Sequence, residues 1–492
     1  MRKFSASLLI LLAGCTVGPD YHAPATQIPD SFSNRGSGSA GQSSDDSTTR
    51  PVSLAQWWGA FEDPTLNALI EQAIKSNQDL KIAEARVREA RALRTVAGAA
   101  RWPNLDASGS YNRTRRSENI SGFAGGFGGT GGETGGSGGT GGFGFGDRDE
   151  DFYQAGFDAS WELDVFGGVR RSIEAANADL AAVEENHRDV LVSLLAEVAR
   201  NYIELRGLQR QRVVALANVE SQRQSLELSS SRFKAGVANE LDVKRAEALV
   251  AGSESAIPPI EAAIQRAIHR LNVLEGRQPE AKLEELSQER PVPTAVGQVP
   301  VGLPSDLLRR RPDIRRAERE LAGATARIGV ATADLFPKFS LTGSSGLQSS
   351  DLSDLPKASS EFWSLGPGFR WPIFSAGRIR GNIRAQNARQ EQALARYEQT
   401  VLLALEDVEN ALVNYGKEQE RFRSLDTAVK ANRRSVEMAS ELYTRGVIDF
   451  LNVLEAQRSL FASEDQLISS EKALSADLVA LYKALGGGWE RN

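Results

Sequence analysis

The side chains able to do acid–base or metal chemistry are too scattered in this chain to do it together. The three histidines, His22, His187 and His269, fall in an N-terminal arm and on two separate helical stretches, with no metal-ligand spacing among them. Serine and acidic residues abound, but no G-x-S-x-G elbow presents a nucleophile. GFGGTG, Gly126 to Gly131, formally satisfies the dinucleotide pattern G-x-G-x-x-G. A pyrophosphate site also needs a strand before that motif and a helix N-terminus after it. Here Gly alternates with Thr, Ser and Phe on both sides, so the tract from Gly122 to Gly146 reads as a low-complexity loop. No enzyme, metal or cofactor is expected.

One residue does have a defined covalent chemistry. Arg2 and Lys3 form a basic n-region, Phe4 to Leu12 an apolar core, and the segment closes on Leu12-Ala13-Gly14-Cys15. That ending is similar to a bacterial lipobox, which implies removal of residues 1–14 and attachment of lipid, palmitate included, to Cys15. Cys15 is the only cysteine, so no disulfide forms within the chain. Thr16 follows it where an Asp would retain a lipoprotein in the inner membrane, which favours the outer membrane. From Thr16 to about Arg50 the composition turns to Pro, Gly, Ser and Thr, as expected of a tethered arm. Beyond the signal segment there is no apolar run of about 20 residues, so any membrane crossing falls to strands.

The elements that carry these residues are written twice. At an offset of 210, Phe152, Trp161, Gly167, Arg170, Asn177, Val198 and Gly236 recur as Phe362, Trp371, Gly377, Arg380, Asn387, Val408 and Gly446. Upstream, Asp79, Ala83, Val96, Pro103 and Gly109 recur at an offset of 234 as Asp313, Ala317, Val330, Pro337 and Gly343. The difference of 24 is the Gly-rich tract. Repeats of this kind set the architecture.

Each copy reads helix, strand, strand, long helix, return helix. The first helix is expected from Pro64, capped by Asp63, to about Ala100, and its partner from about Pro312 to Leu335. The strands alternate: Leu105, Ala107 and Gly109 against Asp106 and Ser108; Tyr153, Phe157 and Trp161 against Gln154, Asp158 and Ser160; Phe339 and Leu341 against Ser340 and Thr342; Trp363, Leu365 and Phe369 against Ser364 and Arg370. Period two with one apolar and one polar face suits a membrane barrel; half-buried soluble hairpins show it too. Four strands cannot close a barrel, so a membrane reading demands strands from several chains.

After each second strand a proline-free stretch runs to Gly236 or Gly446, on the order of 100 Å of helix at 1.5 Å per residue. Its seam, Leu191, Leu195, Val198, Tyr202, Leu205 and then Val401, Leu405, Val408, Leu412, Tyr415, steps by four and three as in a coiled coil. The narrow apolar stripe predicts helices packed pairwise in a wall, wet on both sides. Gly236 and Gly446 close the helices and return helices follow, the first interrupted at Pro258-Pro259. A net charge of −6 with mixed signs along the helices gives nucleic acid no basic patch.

With CTVGPDYHAP from Cys15, WW and DPTL from Trp57, VGLPSDLLRRRPDIRRAE from Val301, LNVLEAQRSL from Leu451 and LYKALGGGW ending at Trp489, the chain resembles the TolC/OprM family of outer-membrane efflux proteins, in its lipoprotein, NodT-type branch serving resistance-nodulation-division systems. The resemblance implies an α+β membrane protein of duplicated β-α-α units. Its homotrimer would form a twelve-stranded outer-membrane β-barrel continuous with a long periplasmic α-helical barrel, girdled by a smaller mixed equatorial region built near Arg277 to Pro300 and the C-terminus. The segments are then a signal peptide (1–14), a lipidated arm (15–60), a first repeat (61–300) and a second (301–492). It further implies a passive exit duct of a tripartite efflux pump for small molecules such as drugs, docked to a periplasmic membrane-fusion adaptor and an inner-membrane transporter. Asp242, Leu451, Glu455 and Arg458 match the family's periplasmic gate, with Glu455 standing for an Asp, and the tips at Gly236 and Gly446 match its adaptor contacts. A type I secretion-type polypeptide conduit and a lipid-anchored coiled-coil scaffold without a pore remain the alternative readings.

Overall fold

The structure, a computed structural model, describes residues 16–26, 28–33, 54–115, 149–294 and 304–489. Cys15 and the Gly122–Gly146 tract lie outside them. The chain forms two compact units, each stitched from separate stretches. The first takes its described residues from 16–20, 94–115, 149–175 and 325–387, the second from 21–33, 54–93, 176–294, 304–324 and 388–489. Both repeats contribute to both units, so duplication in sequence is not division in space.

The first unit holds one antiparallel sheet in the order β1 (Asn104–Arg115), β2 (Asp149–Leu163), β3 (Lys338–Ser349), β4 (Glu361–Arg370). The registers keep parity: Leu105 faces Ala159, Phe157 faces Ser345 and Phe339 faces Phe369. Pairing therefore places the odd-numbered apolar set of every strand on one face. That face is bare among the described residues, with Leu105, Phe157, Trp363, Leu365 and Phe369 all exposed. β1 is exposed along its whole length, with no core beneath it among the described residues. The opposite face is stitched by polar contacts, Ser108 Oγ donating to Asp158 at 2.7 Å and the Ser344 and Ser364 hydroxyls 2.7 Å apart. The duplication extends to single bonds. Trp161 Nε1 donates to Arg101 O at 2.9 Å, and its duplicate Trp371 donates to Leu335 O at 3.1 Å.

The helices follow chain order: α1 (Pro64–Ser76), α2 (Gln78–Ala99), α3 (Gly168–Lys234), α4 (Glu240–Ser255), α5 (Ile257–Leu274), α6 (Leu283–Ser287), α7 (Leu307–Arg310), α8 (Pro312–Ala333), α9 (Arg378–Thr444) and α10 (Phe450–Ala484). α3 and α9 are each 67 residues long, as the proline-free stretches predict. Asp63 caps α1 through Oδ1, which accepts from Thr65 N and Leu66 N. The expected single helix to Ala100 is in fact two. Asn77, at ψ 134°, breaks it, accepting from Leu80 N at 3.0 Å and donating to Leu274 O at 2.9 Å. Of the mixed region that the resemblance implies, residues 277–294 contain α6, and 295–300 lie outside the described residues.

The second unit's main core surrounds the α3 seam, where Leu195, Val198, Tyr202 and Leu205 are fully buried with Leu66 and Ile70 of α1, Ile268 of α5 and Tyr482 of α10. Ala199 and Ile203, off the seam, are equally buried. A pairwise wall is therefore the wrong description here: at residues 192–205 α3 runs through a solid core, because α1, α5 and α10 cover more of its circumference than a two-residue stripe can. The α9 seam packs more thinly, Val401 and Val408 buried with Ile314 and Leu481.

Candidate functional site: the hairpin tip

Both long helices end in the same capping turn. Gly236 and Gly446 sit at φ +74°, a left-handed conformation that costs a side chain but not glycine. Val237 N donates to Arg232 O at 3.0 Å and Gly236 N to Phe233 O at 2.9 Å; Val447 N to Leu442 O and Gly446 N to Tyr443 O repeat the pattern. These are the paired bonds that satisfy a helix's last carbonyls. They leave Val237 and Val447 exposed at the turn.

A small core ties the two hairpins together behind the turns, built from Ala246, Tyr443, Phe450, Val453 and Leu454. Two polar latches reinforce it, and neither was legible in the sequence. Arg232 lies over the Tyr443 ring at 4.8 Å and donates to the carbonyls of Tyr443 (3.0 Å) and Thr444 (3.2 Å), so a cation from the first hairpin satisfies the carboxyl end of the second hairpin's long helix. Gln457, buried on α10, donates to Ser225 Oγ of α3 at 2.8 Å. The signal for Arg232 lay in the broken symmetry, since its duplicate is Leu442.

The four gate positions from the sequence lie on the return helices of this same tip. Glu455 and Arg458 pair at 3.7 Å one turn apart on α10, both about two-thirds exposed. Asp242 and Arg245 pair one turn apart on α4 at 4.0 Å, partly exposed. Such solvated pairs within one helix contribute at most about 1 kcal/mol and tie no helix to another. Leu451, Glu455 and Arg458 together with Arg245, Leu249 and Phe461 line a groove of about 480 Å³ between α4 and α10. Asp242 is not among its lining residues. The arrangement presents charge beside an apolar groove and holds no catalytic geometry.

The other signature motifs meet far from the tip in sequence but within the same unit. Trp57 stacks on Tyr482 at 5.4 Å, and Gly487 and Gly488 pass so close that a side chain on either would strike Leu54 O or Leu195. Trp489 Nε1 donates to Arg310 O at 2.8 Å and lies under the guanidinium groups of Arg188 and Arg315. Beside it, Arg311 bonds Asp313 (2.7 Å), Asp407 (3.0 Å) and Ala484 O (3.1 Å). Burial pushes the Asp313 carboxyl up, but the bonds and charge of Arg311 outweigh it and hold Asp313 below the usual carboxylate range. Asp189, across a cavity of about 290 Å³, is instead raised by burial and by the charge of Asp313. In the first unit, Arg171 gathers the stretch that follows Cys15, donating to Val17 O, Gly18 O and Asp20 Oδ1.

A bare apolar sheet and long helical hairpins with duplicated capped tips are the architecture of a membrane conduit. The chain belongs to the outer membrane efflux protein family, which matches residues 69–277 and 303–487. It is 34% identical over 98% of its length to the solvent efflux pump outer membrane protein SrpC of Pseudomonas putida, covering 97% of that protein. It is 31% identical over 98% of its length to the cation efflux system protein CusC of Escherichia coli O6:H1, again covering 97%. Among solved structures, the outer-membrane channel OprN superposes with a TM-score of 0.84 at 38% identity, covering 96% of this chain and all of that one. The open-state MtrE channel of Neisseria gonorrhoeae gives 0.80 at 28% identity, with 97% and 99% covered. The protein is thus an outer-membrane efflux channel extending into the periplasm, as the sequence motifs anticipated.

Proposed function

We propose that three copies of this chain assemble into the exit duct of a tripartite pump, passively conducting small organic molecules such as drugs from periplasm to exterior. The observation that carries this reading is the sheet: its apolar face is bare and its two edge strands pair on one side only. In lipid each unpaired backbone group costs several kcal/mol, so four strands demand neighbours, and three sheets give a closed twelve-stranded barrel. Lipid on Cys15 would anchor each chain beside it. A periplasmic adaptor would dock at the turns of Gly236 and Gly446, where Val237 and Val447 offer apolar contact, and an inner-membrane transporter would supply the energy. Relatives are named for solvent, toluene, cation and nodulation roles. Unlike cargoes on one scaffold are what a non-selecting wall permits.

Asp242, Leu451, Glu455 and Arg458 form the gate in this reading. Because their pairs lie within single helices, closure must come from the same residues of the other two copies meeting around the axis, where a ring of carboxylates and guanidiniums sets the constriction. The purified protein in a planar bilayer tests both levels. Glu455→Ala combined with Arg458→Ala should raise single-channel conductance severalfold. A small conductance unchanged from wild type would remove the gate, and no conductance from either protein would remove the duct.

A further inference from the structure

We infer that β4 of one copy pairs with β1 of the next in a single register, Ser364 opposite Thr114. The inference rests on the oligomeric reading above and deepens it, since it says which atoms of the second copy complete the sheet.

The argument comes from the duplication. The β1/β2 pairing contains Asn104↔Ser160; moved by the repeat offsets it becomes Lys338↔Arg370, the pairing observed between β3 and β4. The repeat therefore preserves register to the residue. The β2/β3 pairing has no duplicate among the described residues, because its equivalent would join β4 to a strand that follows it, and none does there. Carried forward by the same offsets, Gln154↔Gln348 becomes Ser364 opposite Thr114 of the next copy, and Gly156↔Gly346 becomes Gly366 opposite Asn112. Likewise Ala159↔Gly343 becomes Phe369 opposite Gly109, and Tyr153↔Ser349 becomes Trp363 opposite Arg115.

Glycine usage supports a strand at that place. A side chain on Gly156 would lie 2.7 Å from Ser345 O of β3, so the neighbouring backbone excludes one there. Its duplicate Gly366 meets nothing within 4 Å in the single chain. An edge strand gains nothing from such a glycine, which weakens it; a second backbone laid against β4 supplies the reason. Parity agrees as well. The inferred register keeps Leu105, Gly109 and Tyr111 on the same face as Leu365 and Phe369, whereas a slip of one residue would bring Asp106 and Ser108 onto the apolar face.

Disulfide trapping decides the register, because directly opposed antiparallel residues lie about 4.5–5.5 Å apart at Cα, within disulfide reach. Ser364→Cys with Thr114→Cys in the full chain should give covalent dimers and trimers on a non-reducing denaturing gel, collapsing to monomer with reductant. Two slipped pairs, Ser364→Cys with Asn112→Cys and Phe362→Cys with Thr114→Cys, should give roughly tenfold less at the diagonal separation of about 7–8 Å. Either slipped pair linking as well as the matched one, or no pair linking in a protein whose unlinked mass is that of three chains, overturns the register and leaves the trimer standing. An unlinked mass of one chain overturns both.

Discussion

Arg311 shows what a signature residue is for in this fold. It sits largely buried between Asp313, Asp407 and the Ala484 carbonyl at the end of α10, so removing it strands the mostly buried Asp313 carboxylate. Arg311→Ala should lower unfolding stability in detergent by about 3 kcal/mol at neutral pH, the usual consequence of breaking a buried pair. The sign of the pH dependence follows from the lowered Asp313 carboxyl. Its stabilisation is full above the carboxylate's unfolded value and is lost as pH falls through its depressed folded value. Wild type should therefore lose stability on acidification through that range, and Arg311→Ala should lose less. Asp189 works in the opposite sense, since its raised carboxyl makes stability fall as pH rises through the window just above the ordinary value. A denaturant series over acid and neutral pH reads both. The RRRPD motif was visible in the sequence, but its meeting with Asp407 and Trp489 was not, because no local period or spacing connects segments about a hundred residues or more apart that only folding brings together.

At the scale of elements, the helices were the most legible part and their ends the least. Sixty-seven residues of unbroken period leave no other reading, yet the break at Asn77 has neither proline nor glycine to announce it. It comes from an amide that bonds α2 on one side and α5 on the other. Asn77→Ala should cost about 1–3 kcal/mol through the unsatisfied groups it leaves, seen as faster amide exchange over Leu80 and Leu274. The tips offer a sharper contrast. Gly446→Val forces a β-branched residue to φ +74° and should cost roughly 1–2 kcal/mol at the turn. Arg232→Leu, which restores the duplicate's residue, keeps the turn but removes the latch on Tyr443 and Thr444. Exchange at residues 443–446 should rise about tenfold in either variant, corresponding to ~1.4 kcal/mol. Only the glycine variant should also disturb the capping bond from Val447 to Leu442.

For the whole molecule, the stretch after Cys15 is fixed against the first unit by packing rather than left as a free arm. Arg171, whose side chain is only 4% exposed, ties down Val17, Gly18 and Asp20 and also pairs with Glu174 at 2.8 Å. Gly18, at φ +91°, passes so close to Gly329 that a Cβ would stand 2.4 Å from its Cα, and Gly167 would strike Thr16 in the same way. Three glycines and one arginine thus seat residues 16–20 at the strand-to-helix turn after β2. Cys15→Ser should abolish incorporation of labelled palmitate. Arg171→Ala should leave labelling intact but free the seat, so that protease cuts within residues 16–33 at least tenfold faster at an opening cost of ~1.4 kcal/mol or more. Equal cutting of wild type and Arg171→Ala would mean that the glycine contacts alone fix the anchor and that the guanidinium is incidental to it.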